Sequence, residues 1–270
     1  MEKFKKIFKN QNKIIIGMLH FPFISNINEI DLVSSNLLEN IENLQTGGIH
    51  AILFENEYAR YRKEHPEFLD VDEIIYYTTI VNKVLNYINV PYGFTALDND
   101  YKTSLSLSSL LKGKFIRLDV FVDHVSIHGN IIKPQPIRIK EYRNHLLKKY
   151  KCDWEISIYT DIHSKWGQIL NGKNLKETIQ EAIDYESDGI IINGNVDHEY
   201  DKDSIKNTMN TLEIAKNITK GNIPIFVGSG VNENNIKEYL TIANGVIIGR
   251  ALKENNKIKK EKVENLIRHT

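Results

Sequence analysis

Long apolar runs are missing from this 270-residue chain, and so is any excess of one charge. No stretch approaches the roughly 18 apolar residues that would span a bilayer, so no transmembrane segment is expected. Lysine plus arginine number 35, and aspartate plus glutamate also number 35. That balance argues against a nucleic-acid partner, which calls for a basic excess or a basic face. Cys152 is the single cysteine. It excludes an intramolecular disulfide and a thiol-rich zinc site, and it suits a reducing, cytoplasmic setting. No Gly- or Ser-rich linker divides the chain, and there is no low-complexity segment, so one domain over 1–270 is expected. The N-terminal MEKFKKIFKN is basic and amphipathic. It is too short in apolar residues for a secretory signal and reads as a helix closing the bottom of a barrel.

What is present is an alternation. Apolar runs at 13–19, 51–54, 90–95, 115–121, 154–159, 189–192, 224–227 and 245–248 read as strands. Helical periodicity separates them at 30–45, 71–88, 102–111, 139–149, 175–185, 204–218 and 233–243, with a last helix near 262–269. Strands separated by helices imply parallel pairing and right-handed crossovers. Eight such units in this length favour an α/β fold of one kind, a single (β/α)8 TIM barrel.

Active sites of such barrels lie at the C-terminal strand ends. The polar residues there are His20 after the first strand, Glu55 and Asn56 after the second, and Asn99 and Asp100 after the third. Asp119 and Asp123 follow the fourth, Asp161, His163 and Lys165 the fifth, and Asn193 the sixth. Asp100 also suits the N-cap of the helix it precedes. Alternation along the fifth strand puts Ser157, Tyr159, Asp161 and His163 on one face if the extension persists, opposite Ile156, Ile158 and Ile162. Asp161 would then orient His163 as a general base or share a metal with it. Lys165 would serve as a Schiff-base lysine or a phosphate contact. Glu55 with Asp161 and His163 would complete a divalent metal site, although no local spacing demands one. Arg117 and Asp119 share the inner face of the fourth strand. They read equally as a buried structural ion pair or as a pair in which Asp119 reaches a substrate held by Arg117. His20, Asn56, Asn99 and Asn193 complete the candidate substrate contacts. The long connection 122–136, with His124 and His128, has the length of a lid or binding loop.

Two glycine turns end the alternation. Gly228-Ser229-Gly230 follows the seventh strand, and Gly249-Arg250 follows the eighth. Backbone N–H groups in such turns can converge on an anion, and barrels commonly hold a phosphate after these two strands. The Ser229 hydroxyl and the Arg250 charge would add to the site. The expected ligand is a small phosphorylated molecule, in a monomer or a homo-oligomer.

Several motifs occur in order along nearly the whole chain: GMLHFP, GGIHAILFEN, Asn99-Asp100, FIRLDVF, TDIHSK, VGSGVNENN and GVIIGRALK. In these the chain resembles the BtpA/SgcQ family of ribulose-phosphate-binding-type barrels. The closing VGSGV and GVIIGRALK pair is the most specific. Departures fall at the expected site end: FPF after His20, Asp98 before Asn99, SIHG at 126–129, Asn193-Gly194-Asn195, and Trp166 where a histidine is usual. The resemblance implies a sugar-phosphate isomerase, epimerase, aldolase or lyase. Its other implication is a non-catalytic assembly or regulatory factor that keeps a ligand pocket.

Overall fold

The computed structural model describes every residue except Phe23, Ser25, 57–66, Asp98, His128, 165–166, 195–201 and the side chain of Lys202. Eight parallel strands close into a barrel. They are β1 (Ile14–Phe21), β2 (Ala51–Asn56), β3 (Tyr92–Thr95), β4 (Phe115–Leu118), β7 (Ser157–Ile162), β9 (Gly189–Asn193), β10 (Ile225–Gly228) and β11 (Gly245–Ile248). β1 closes the ring by pairing with both β2 and β11. The connection after β4 is a hairpin, β5 (Val125–Ile127) and β6 (Asn130–Ile132). β8 (Gln168–Ile169), from the connection after β7, joins its edge to make a three-stranded sheet. The length of 122–136 is therefore spent on a built structure. β12 (Lys253–Glu254) and β13 (Lys257–Ile258) form a short ribbon after the last barrel strand.

Alternation sorts the strand residues into two cores. Ile14, Ile16, Met18, Ala51, Leu53, Phe115, Tyr159, Ile191, Phe226 and Ile247 fill the barrel. Their neighbours, such as Ile15, Ile52, Ile116, Ile158 and Ile190, meet the surrounding helices. Helix α1 (Glu2–Ile7) closes the base, as its pattern predicts. Its Phe4 packs edge-on to Phe226 at 5.9 Å, and Phe8 lies 6.1 Å from Phe115. Both rings are buried, so the apolar side of this helix belongs to the barrel interior.

The outer layer holds α2 (Ile30–Thr46), α3 (Val71–Val84), α4 (Tyr101–Leu110), α5 (Pro136–Lys149), α6 (Leu175–Asp184), α7 (Lys202–Thr219), α8 (Ile236–Tyr239) and α9 (Lys260–Arg268). Val33, Leu37, Ile41 and Leu44 supply the buried stripe of α2. Asp100 caps α4 through the Thr103 N–H, as expected, and also accepts from the Leu69 N–H.

Among the boundaries that differ from the expectation, such as the fourth strand ending at Leu118 and not at Phe121, two have a direct physical reason. The fifth barrel strand runs to Ile162, beyond Thr160-Asp161, because Arg117 on the neighbouring strand neutralises the buried Asp161. The helix expected over 233–243 shrinks to α8, because asparagine side chains compete for the backbone. Asn232 accepts from the Asn234 N–H, and Asn235 accepts from the Asn232 N–H while donating to the Gly230 carbonyl.

Candidate functional site

The inward faces of β1, β2, β4, β7 and β9 end in polar residues, and these form two groups across the barrel mouth. The first is centred on Arg117. Its Nε donates to Asp161 Oδ1 at 2.9 Å and its Nη2 to Asp161 Oδ2 at 2.7 Å. Asp119 lies 3.4 Å from the same guanidinium. Asn193 donates to Asp161 Oδ2 at 2.9 Å. Burial disfavours the Arg117 charge, but the carboxylates of Asp161 and Asp119 outweigh it and hold its pKa above the ordinary value. Burial also pushes the Asp161 carboxyl upward, against the pull of Arg117.

The second group is centred on His20. Its Nε2 lies 2.9 Å from Glu55 Oε2. Its Nδ1 lies 3.0 Å from the Nζ of Lys253, the first residue of β12. Glu55 is buried, whereas His20 keeps 16% of its side chain exposed. A lysine ammonium only donates, so Nδ1 accepts from it. The one proton of a neutral imidazole then sits on Nε2 and faces the Glu55 carboxylate.

The two glycine turns flank these groups. Ser229 and Gly230 both take left-handed backbone conformations, with φ of 66° and 68°. Gly228 needs its bare α-carbon: a Cβ there would come 2.7 Å from Ile191, with Asn193 and Arg117 next in line. At Gly249 a Cβ would lie 2.9 Å from His20 Cε1, so this turn packs directly on the imidazole. Arg250 is exposed beside it.

Several expected site residues fall elsewhere. His163 does not share the mouth with Asp161. The strand ends at Ile162, His163 turns to a φ of 51°, and its Nε2 meets Thr178 Oγ1 on α6 at 3.1 Å. Thr178 in turn donates to Asp123. Burial lowers the His163 pKa, and Asp123 opposes that shift. The combination of Glu55, Asp161 and His163 around a metal is therefore not formed. Among the described residues no group of three His, Cys, Asp or Glu side chains is placed to hold one. Asn56 follows Glu55 on β2 and so faces outward, away from the mouth. Asn99 ties loops together, donating to Glu67 and to the Lys133 carbonyl. The Arg117–Asp119 reading resolves toward an ion network whose main carboxylate is Asp161. Lys165 and His128 lie outside the described residues, and His124 is exposed.

Lys253 escaped sequence reasoning because it sits five residues past the last strand. Its signal was the i, i+3 spacing from Arg250, which one 3-10 turn (Arg250–Leu252) converts into proximity.

The BtpA family model matches residues 11–270. The chain belongs to the BtpA family. It is 30% identical over 217 residues to the Photosystem I biogenesis protein BtpA of Synechocystis sp., covering 80% of this chain and 70% of that protein. It is 26% identical over 260 residues to an uncharacterized protein of Methanocaldococcus jannaschii, covering 93% and 91%. The fold is similar to solved TIM barrels at low identity. Tryptophan synthase from M. tuberculosis superposes with a TM-score of 0.56 at 12% identity, covering 99% of this chain and 97% of that one. Thiamine phosphate pyrophosphorylase from Pyrococcus furiosus gives 0.54 at 14%, covering 97% and 96%. Among the described residues no helix is long and apolar enough to cross a membrane.

Proposed function

We propose that this BtpA-family barrel is an enzyme acting on a phosphorylated sugar or a related small phosphate ester. The reaction class is proton transfer or C–C or C–O cleavage, as in an isomerase, epimerase, aldolase or lyase. The observation that carries the reading is the pair of His20 with the buried Glu55, packed against the Gly249 turn. An anion held by the N–H groups of Gly228, Ser229, Gly230 and Gly249, with Arg250 beside it, would set the adjoining carbons next to a carboxylate and an imidazole. A carboxylate–imidazole pair at that distance is suited to general acid–base work. Asp119, Asp161 and Asn193, held in place by Arg117, would accept from and orient sugar hydroxyls. A cytoplasmic setting suits such a substrate.

Solvent isotope exchange tests the reading without knowledge of the product. Incubation in D2O with a panel of pentose, hexose and triose phosphates should place deuterium on a carbon of at least one of them. Glu55→Gln should abolish that incorporation. If no panel member exchanges although inorganic phosphate binds, the enzyme reading is lost.

The name of the Synechocystis relative, a photosystem I biogenesis protein, supports a second reading, an assembly factor that keeps the barrel and a ligand pocket. The two separate in cells: an assembly factor carrying Glu55→Gln restores a deletion strain, and an enzyme carrying it does not.

A further inference from the structure

The Lys253–His20–Glu55 chain is oriented. Lys253 donates to Nδ1, and Nε2–H faces Glu55. Moving one proton from Lys253 to Nδ1, and one from Nε2 to Glu55, yields a neutral amine, a neutral imidazole and a neutral carboxylic acid. Lys253 is also placed by the phosphate turn. Its N–H closes the 3-10 turn on the Arg250 carbonyl, and three residues per turn bring it into line with Arg250.

We propose that Lys253 is an amine nucleophile that condenses with the carbonyl carbon of a phosphate-anchored ligand, with His20 and Glu55 removing its proton. The proposal rests on the reading that the last two turns hold a phosphate. The amine lone pair forms the C–N bond as the carbonyl π bond breaks onto oxygen. A proton moves from nitrogen to that oxygen, giving a neutral carbinolamine. The proton parked on Glu55 returns through His20 to the hydroxyl, which leaves as water while nitrogen forms the C=N bond. The sum is a carbonyl plus a lysine ammonium giving a protonated imine plus water, with no oxidant or reductant. His20 thus relays protons between Lys253 and Glu55, and Lys253 is the group that bonds to the ligand.

Pyridoxal 5′-phosphate is a suitable probe, since it joins a phosphate to an aldehyde. The full chain is treated with it, reduced with borohydride, and mapped by peptide mass spectrometry, alongside melting curves with inorganic phosphate. The expected result is a reduced adduct at Lys253 that excess phosphate suppresses. Lys253→Arg should lose this adduct, and Glu55→Gln should slow its formation at least tenfold. Adducts spread over exposed lysines with Lys253 unmodified overturn the proposal. If phosphate still raises the melting temperature in that case, the anchoring reading survives it. An adduct at Lys253 that phosphate does not suppress overturns the anchored mechanism and counts against the phosphate reading itself.

Discussion

The two polar groups in the barrel mouth contain similar residues but are wired differently. Around Arg117, two carboxylates converge on one permanent cation, and the Asn193 amide donates to one of them, Asp161. Around His20, an amine, an imidazole and a carboxylate stand in a row, next to the Gly249 turn. The first arrangement holds geometry; the second is a row of donors and acceptors along which a proton can pass. A count of acidic and basic residues at strand ends does not distinguish them. What distinguishes them is whether the partner is an arginine, which does not deprotonate, or a histidine, which does.

Removing the fixed cation should have the largest effect. Arg117→Ala leaves Asp161 and Asp119 buried without it and is expected to cost about 3–5 kcal/mol in urea unfolding. Arg117→Met combined with Asp161→Leu should recover most of that loss. A single-mutant cost near zero would mean that the group is not a structural clamp. On the other side, Glu55→Gln should reduce isotope exchange by about 10²–10⁴-fold while leaving the urea midpoint close to wild type. Equal damage to stability at both positions would erase the contrast.

His163 sharpens the comparison from outside the mouth. Its pKa is lowered from an ordinary value of 6.5 by burial. Below that value the unfolded chain takes up a proton that the folded chain resists, so stability is present above it and falls as the solution is acidified. His163→Gln should flatten this loss below about pH 6.5 and leave isotope exchange intact. Loss of exchange in this variant would restore His163 to the site. The smallest effect is expected at the Asp100 cap. There Asp100→Ala should cost about 1 kcal/mol, and more only if the Leu69 N–H is left unsatisfied.

The fold was legible because the barrel alternates twice over. Strands alternate with helices, and apolar residues alternate between lumen and helix layer along each strand. The β7 pattern placed Tyr159 and Asp161 inward and Ile158 and Ile162 outward, as they stand. That pattern failed one residue later. A left-handed turn at His163 breaks the period of two, and no local residue type announces it. Asn56 was misplaced for the converse reason: the strand continued past Phe54, so alternation turned it outward. Proximity across the ring, as between His20 and Lys253, 233 positions apart, depends on barrel closure and is invisible to local pattern.

Phosphate-dependent stability tests the central claim most directly. Wild-type protein and Arg250→Glu should be melted in phosphate and in chloride at equal ionic strength. Wild type is predicted to melt higher in phosphate, because a ligand that binds only the folded state stabilises it. The rise should vanish in Arg250→Glu, which places a negative charge at an exposed position beside the Gly249 turn. Equal melting of the wild type in the two salts, or a rise that persists in the variant, would contradict a phosphate site at the end of the barrel.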